Sequence, residues 1–402
     1  MTQRSNAPSL ADLGGTARAV VWTLLRSGPL SRAELARNLK LSPASLTKEA
    51  RPLLNAGVIA QQSAERSDNS AERSATATGR SETRGRPGAP LTIDAEDFQF
   101  AGIKLTADAV YAVRTDAQGH IQQTLTYPLQ ATEVDAVTDL LVQCINELAE
   151  NSYLQAVGVG LAGDQRLFDD TVRKNTFLEW DDVPLAALLH ERTGIPTVLG
   201  GDVRALAAGI HWNGPGRGLK DLAVLTVGAG VGLALVLNEQ VQTSASGPVG
   251  VIGHSRVAPA GPVCYAGHRG CAHSFLTTPA ITHSVGAPTD ETLSLAEALQ
   301  RADDGDPVAR AVFNDAGYAL GVLIAQLTNI LGIQAVVLAG DGLDILAHAA
   351  PVMHSTVADQ LDPEALLPTI RSFDCTFTEW ARGAAVLACQ WVLTDPPHTR
   401  RT

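Results

Sequence analysis

The sequence predicts an α/β body preceded by a small helical head. From about residue 97 onward, β-rich apolar runs alternate with helical patterns, the mark of a layered α/β fold. Residues 10–57 instead show apolar positions at helical spacing. Charge divides the chain at the same place. Residues 1–94 hold 13 Lys and Arg against 8 Asp and Glu, a net of +5, while the other 17 basic and 34 acidic residues leave −17.

The 402 residues suggest more than one domain, since single cores stop growing near ~250–300 residues. We divide them into a head over 1–94 and a body over 95–402. The total charge of −12 would argue against a nucleic-acid partner, but the basic head reverses that inference locally. No apolar run reaches the ~18 residues of a membrane helix, and the N-terminus lacks a signal peptide's apolar segment. Five cysteines in this length do not make a disulfide scaffold, so a reducing cytoplasm is the expected location.

Within the head, a first helix over roughly 11–27 places Val20, Val21, Leu24 and Leu25 on one face, and Gly28-Pro29 ends it. Ser31 caps a second helix (roughly 31–39), with Glu34 completing a capping box. A short turn through Leu41 leads to Ser42, which caps a third helix with Pro43 at its first position. Two short helices joined by a tight turn match helix-turn-helix geometry. Ser42, Ser45, Thr47, Lys48 and Arg51 fall on the start and outward face of the third helix, where they suit base-edge and phosphate contacts. Leu46, Leu53 and Leu54 face the small core. A plain three-helix bundle with solvated charges is the competing reading.

Residues 57–62 (GVIAQQ) and 90–94 (PLTID) add a β-hairpin wing and favour the DNA reading. Arg84-Gly85-Arg86-Pro87 closes it; Arg84 and Arg86 there suit a narrow minor groove. Residues 62–84 contain no Val, Ile, Leu, Phe, Tyr or Trp and repeat SAERS at 63–67 and 70–74, so a disordered insert is expected.

In the body, residues 99–114 read as a hairpin and 155–163 as a strand entering a Gly-rich turn. Residues 196–213 read as strand, turn and helix, and 222–238 as two strands about Gly228, Gly230 and Gly232. Residues 315–345 read as a long helix, a strand and another Gly turn. Such turns expose N–H groups that can cradle phosphate, though glycine is also the default residue of any tight turn. Cys264 and Cys271 invite a metal reading; Cys144, Cys375 and Cys389 sit in apolar contexts and are expected in the core.

Together these motifs resemble the ROK family of repressors, open-reading-frame proteins and sugar kinases, over about residues 14–393. The resemblance is carried by Gly250-Val251-Ile252-Gly253-His254 and by the run Cys264-Tyr265-Ala266-Gly267-His268-Arg269-Gly270-Cys271-Ala272-His273. The family patterns are Gly-Glu-Ile-Gly-His and Cys-x-Cys-Gly-x-x-Gly-Cys-x-Glu. The resemblance implies an actin-like (ribonuclease-H-like) two-lobed body behind a winged helix-turn-helix.

The departures from the family carry functional information. Lys104-Leu105-Thr106 stands where active kinases have Asp-x-Gly-Gly-Thr. Asp202 matches the catalytic base and is expected to be idle, or to serve as a helix N-cap. The resemblance makes Asp202, His254 and His273 the effector-binding candidates, although the family's Asn and two Glu are here Gly201, Val251 and His273. It also implies a structural zinc on His254, Cys264 and Cys271, with Ala266 in place of one Cys. His268, His273 or water would complete that set.

The resulting expectation is a DNA-binding transcriptional regulator, a repressor, with a non-catalytic body that senses a sugar or sugar-derived effector. It would bind operator DNA as a homodimer or dimer of dimers and would not involve a membrane. An active sugar kinase with an accessory head and a ligand-independent DNA-binding protein remain as alternatives.

Overall fold

A computed structural model describes residues 8–62, 89–163, 168–243 and 250–394. Most of the expected disordered insert, with Arg84 and Arg86, lies outside the described residues.

The head opens with α1 (Gly15–Ser27), which buries Val20, Val21, Leu24 and Leu25. It starts later than the periodicity suggested, because Gly14 and Gly15 disfavour helix and Leu10–Asp12 form a separate 3-10 turn. Gly28, at φ 74°, ends it in a conformation that glycine tolerates. In α2 (Arg32–Asn38), the Ser31 hydroxyl accepts from Glu34 N and the Glu34 carboxylate accepts from Ser31 N, so the capping box is complete. Helix α3 (Pro43–Asn55) has Pro43 at its start and the Ser42 hydroxyl accepting from Ser45 N at 3.1 Å. Strands β1 (Ala60–Gln61) and β2 (Leu91–Thr92) pair antiparallel beside them.

The first lobe is built on β3 (Gln99–Leu105), β4 (Ala109–Asp116) and β5 (Ile121–Pro128), a meander extended by β6 (Leu154–Leu161) after α4 (Val134–Ala149). A short ribbon, β7 (Val172–Asn175) and β8 (Trp180–Val183), and α5 (Leu185–Thr193) precede β9 (Thr197–Gly201), which runs into α6 (Asp202–Asn213). The sheet order is β5-β4-β3-β6-β9, with β3, β6 and β9 parallel.

The second lobe repeats that plan with β10 (Leu222–Val227), β11 (Val231–Leu237) and β12 (Gln240–Val241). Helices α7 (Ala272–Leu276), α8 (Thr278–Gly286), α9 (Leu295–Asp303) and α10 (Pro307–Leu331) follow, then β13 (Ala335–Ala339), α11 (Leu346–Gln360) and β14 (Thr369–Ser372). Its order, β12-β11-β10-β13-β14, is the same meander extended by two parallel strands. Two such sheets facing a common cleft are the expected two-lobed architecture. Helix α10 corrects one expectation: its 25 residues and hydropathy of 1.3 meet a membrane helix's criteria of length and apolarity. It is 61% buried in that stretch, against α11 and the surrounding helices of the second lobe.

The chain returns to the first lobe through α12 (Phe377–Thr394). Gly102 and Gly158 let this helix lie against the sheet: a Cβ on either would fall about 2 Å from the Ala381 or Ala384 carbonyl oxygen. The core under α12 is continuous with that of the head, running from Leu10 and Val20 through Phe98 and Phe100 to Trp391 and Val392. The head is therefore packed onto the body.

Candidate functional site

In the head, Ser42, Ser45, Thr47, Lys48 and Arg51 are all exposed along α3, while Leu46 and Leu53 are buried. The three hydroxyls are partly engaged: Ser42 with Ser45 at 2.8 Å, and Thr47 donating to the Pro43 carbonyl. Lys48 and Arg51 form no ion pair among the described residues, so their charges face solvent.

In the body, a cleft of about 460 Å³ lies between the lobes. Lys104 and Asp202 meet in its wall, Nζ to Oδ2 at 2.5 Å. Strand register explains how residues 98 apart in sequence meet. Lys104 pairs with Gly160 on β6, and Gly160 pairs with Gly200 on β9. Gly160 carries no side chain, and a Cβ there would lie 3.7 Å from Asp202 Cα, so the lysine meets no side chain on the intervening strand as it reaches the residue beginning α6. The Lys104 ammonium also lies 5.0 Å from the Trp380 ring centroid. The two side chains are 7% and 17% exposed, so the pair is largely withdrawn from water. Asp202 Oδ1 accepts from Val203 N at 2.7 Å, while Gly201 occupies the N-cap position.

The Gly228-Ala229-Gly230 turn lines the same cleft, closed by Gly228 N to the Gly230 carbonyl. Asp341 lies directly over it: a Cβ on Gly228 would fall 1.7 Å from Asp341 Oδ1. A cation thus engages Asp202, and a carboxylate covers the Gly228–Gly230 turn, where it would repel a phosphate. Asp341 and Trp380 were not legible as cleft residues; the Gly340–Gly342 turn after a buried strand was the available signal for Asp341.

Outside the cleft lining, the structure brings His254, Cys264, His268 and Cys271 together, with one ligand atom of each within 4.8 Å of the others. Cys264 Sγ is 3.6 Å from His254 Nδ1 and 3.8 Å from His268 Nδ1, and Cys271 Sγ is 4.0 Å from His254 Nδ1. Tetrahedral zinc with N and S ligands requires separations of about 3.5 Å, so this donor set fits. A tight turn, Cys264 N to the His268 carbonyl and Gly267 N to the Cys264 carbonyl, folds His268 back to the cluster. Ala266 stays exposed on that turn. Burial acts to raise the Cys264 thiol, but hydrogen bonds from the Ala266 and His268 backbone and from Cys271 hold it below its ordinary value.

His273 stacks on His254 with ring centroids 5.5 Å apart, outside the four-residue cluster. Burial and then His254 lower its pKa. Asp202 therefore lines the cleft, while His254 and His273 stand beside it, joined through Gly253 to the cleft residue Val231. Cys144, Cys375 and Cys389 are buried as expected, and burial pushes the Cys144 thiol up to about 11.

Comparison with known proteins bears on this arrangement. The ROK family model matches residues 100–390. The chain belongs to the ROK family. It is 26% identical over 376 residues to the DNA-binding transcriptional dual regulator NagC of Escherichia coli strain K12, covering 88% of each chain. Among solved structures, it resembles a ROK family transcriptional regulator homologous to the E. coli Mlc protein, with TM-score 0.78 and 22% identity over 94% of this chain and 96% of that one. It also resembles the ROK hexokinase from Thermus thermophilus, with TM-score 0.67 and 23% identity over 73% of this chain and 99% of the hexokinase. Both ROK structures share the fold of the body, and the regulator's match extends over more of the chain.

Proposed function

We propose that this ROK chain is a sequence-specific DNA-binding transcriptional regulator, a repressor of carbohydrate-related genes, with a body that binds a sugar or sugar-derived effector and transfers no phosphate. The observation that carries the reading is the exposed face of α3, with Lys48 and Arg51 in no ion pair among the described residues, on a head seated upon a sugar-kinase-like body. Likeness to NagC, itself named as a DNA-binding regulator, supports it. The Lys104–Asp202 pair argues against the kinase alternative, because a carboxylate already bonded to an ammonium is a poor base for a sugar hydroxyl.

In this reading α3 enters the major groove and Arg84 and Arg86 reach the neighbouring minor groove. Two heads of a homodimer, or of a dimer of dimers, engage two half-sites in the cytoplasm. The effector occupies the cleft at Asp202, with His254 and His273 at its margin. Zinc suits the Cys/His cluster: His254, Cys264, His268 and Cys271 would hold it as a structural cross-link bracing the cleft's edge.

Selection of duplexes from a random DNA pool by the full-length chain tests the reading. Recovery of a common sequence is expected, together with no turnover of ATP over a panel of hexoses and pentoses. Sugar-dependent turnover would revive the kinase.

A further inference from the structure

Helix α1 of the head touches both lobes of the body at one place. Trp22 meets Trp212 edge-on, with ring centroids 4.9 Å apart at 61°. One turn later on the same face, the Arg26 guanidinium lies 5.7 Å from the Trp212 ring centroid. Arg26 Nη2 is also 3.4 Å from Glu239 Oε2. Trp212 lies at the end of α6, fixed from behind by its indole N–H donating to the Ala117 carbonyl at 3.0 Å. Glu239 belongs to the turn between β11 and β12, whose backbone is tied by Glu239 N to the Lys220 carbonyl.

Both anchors connect to the cleft. Helix α6 has Asp202 at its first residue and Trp212 near its last, a span of about 15 Å. Helix α12 begins with the cleft residues Phe377 and Trp380, and its far half shares the core that holds α1. Strand β11 contributes the cleft residues Val231 and Gly232 at one end and leads to Glu239 at the other. Rigid elements joining two sites are one means by which energetic coupling between them is carried.

We propose that Arg26 is a positioning residue that latches the head across both lobes, holding Trp212 of one and Glu239 of the other, so that lobe separation at the cleft sets the orientation of α3. This rests on the DNA-binding reading above. The Arg26 side chain is 16% exposed and Glu239 51% exposed, so the guanidinium has lost much of its water and relies on the ring and the carboxylate for compensation. When Glu239 moves with the second lobe, one of the two anchors moves with it. A ligand that prefers one lobe spacing thereby biases the head, and DNA biases ligand binding in return.

Charge reversal and exchange in the full-length chain test the latch. Glu239→Arg places like charges together; adding Arg26→Glu restores an opposite pair with its ends exchanged. Two quantities are read: hydrogen exchange over residues 15–27 in the free protein, and affinity at fixed salt for a duplex the wild type selects from a random pool. Glu239→Arg is expected to speed the exchange and shift the dissociation constant about fivefold, and the double variant, which restores the ion pair but not the contact with Trp212, to recover part of both effects. Unchanged exchange in Glu239→Arg, or a double variant no better than the sum of its parts, overturns the latch. Failure of the wild type to select any duplex would instead sink the DNA reading, leaving the exchange measurement to decide the latch.

Discussion

Lys104 shows how one residue changes the chemistry available to a fold. It lines the cleft, and its ammonium reaches Asp202 across β6, where Gly160 carries no side chain. The substitution was legible in the sequence, but the pairing was not, since it depends on β3 and β9 flanking the same strand. Lys104→Ala should cost about 3 kcal/mol in urea unfolding, because it strands a mostly buried carboxylate and removes the contact with Trp380. A loss below about 1 kcal/mol would show that water satisfies Asp202 unaided. His211 makes a second residue-scale prediction. Its ring donates from Nε2 to the Leu219 carbonyl at 2.9 Å, and burial, followed by Arg26, lowers its pKa from the ordinary 6.5. The fold thus prefers the neutral ring, while the unfolded chain takes up a proton first as pH falls. The stabilising contribution is complete above 6.5 and is lost as pH falls through the lowered folded value. Urea midpoints should therefore drop as pH falls below about 6.5, and His211→Gln should flatten that drop. The same drop in His211→Gln would remove the assignment.

Elements differ in how much of them local sequence controls. The head's helices follow their caps, because Ser31 with Glu34 and Ser42 with Pro43 each specify a terminus within four residues. The pairing expected between residues 57–62 and 90–94 is present in β1 and β2, and the segment between these strands is not among those described. The Cys/His loop lies between these extremes. The family resemblance supplied His254, Cys264 and Cys271, but the fourth position stayed open among His268, His273 and water. The turn that bonds Cys264 N to the His268 carbonyl favours His268, while His273, on α7, stacks against His254 from outside. Metal analysis of the purified chain should find one zinc per chain, lost in Cys264→Ser and weakened in His268→Ala. Full zinc in both variants would exclude this ligand set.

At the scale of the whole molecule, the two sheets repeat one strand order, and the cleft residues gather only once both lobes and α12 are in place. That explains why Asp341 and Trp380 escaped sequence reading although each stands beside a recognisable element. The charge division sharpens in the same way. The +5 head and the −17 body are packed together, so a DNA duplex approaching α3 is attracted by one surface and repelled by the bulk behind it. Contact should then be confined to a few phosphates, and each cation on α3 should be visible in the salt dependence. The most direct measurement is the dissociation constant of the full-length chain for its selected duplex across a salt series, for wild type and Lys48→Ala. Binding should weaken steeply with salt in the wild type, and the variant's log–log slope should be shallower by about one. An unchanged slope in Lys48→Ala, or no salt-dependent binding at all, would contradict the assignment of α3 as the DNA-reading element.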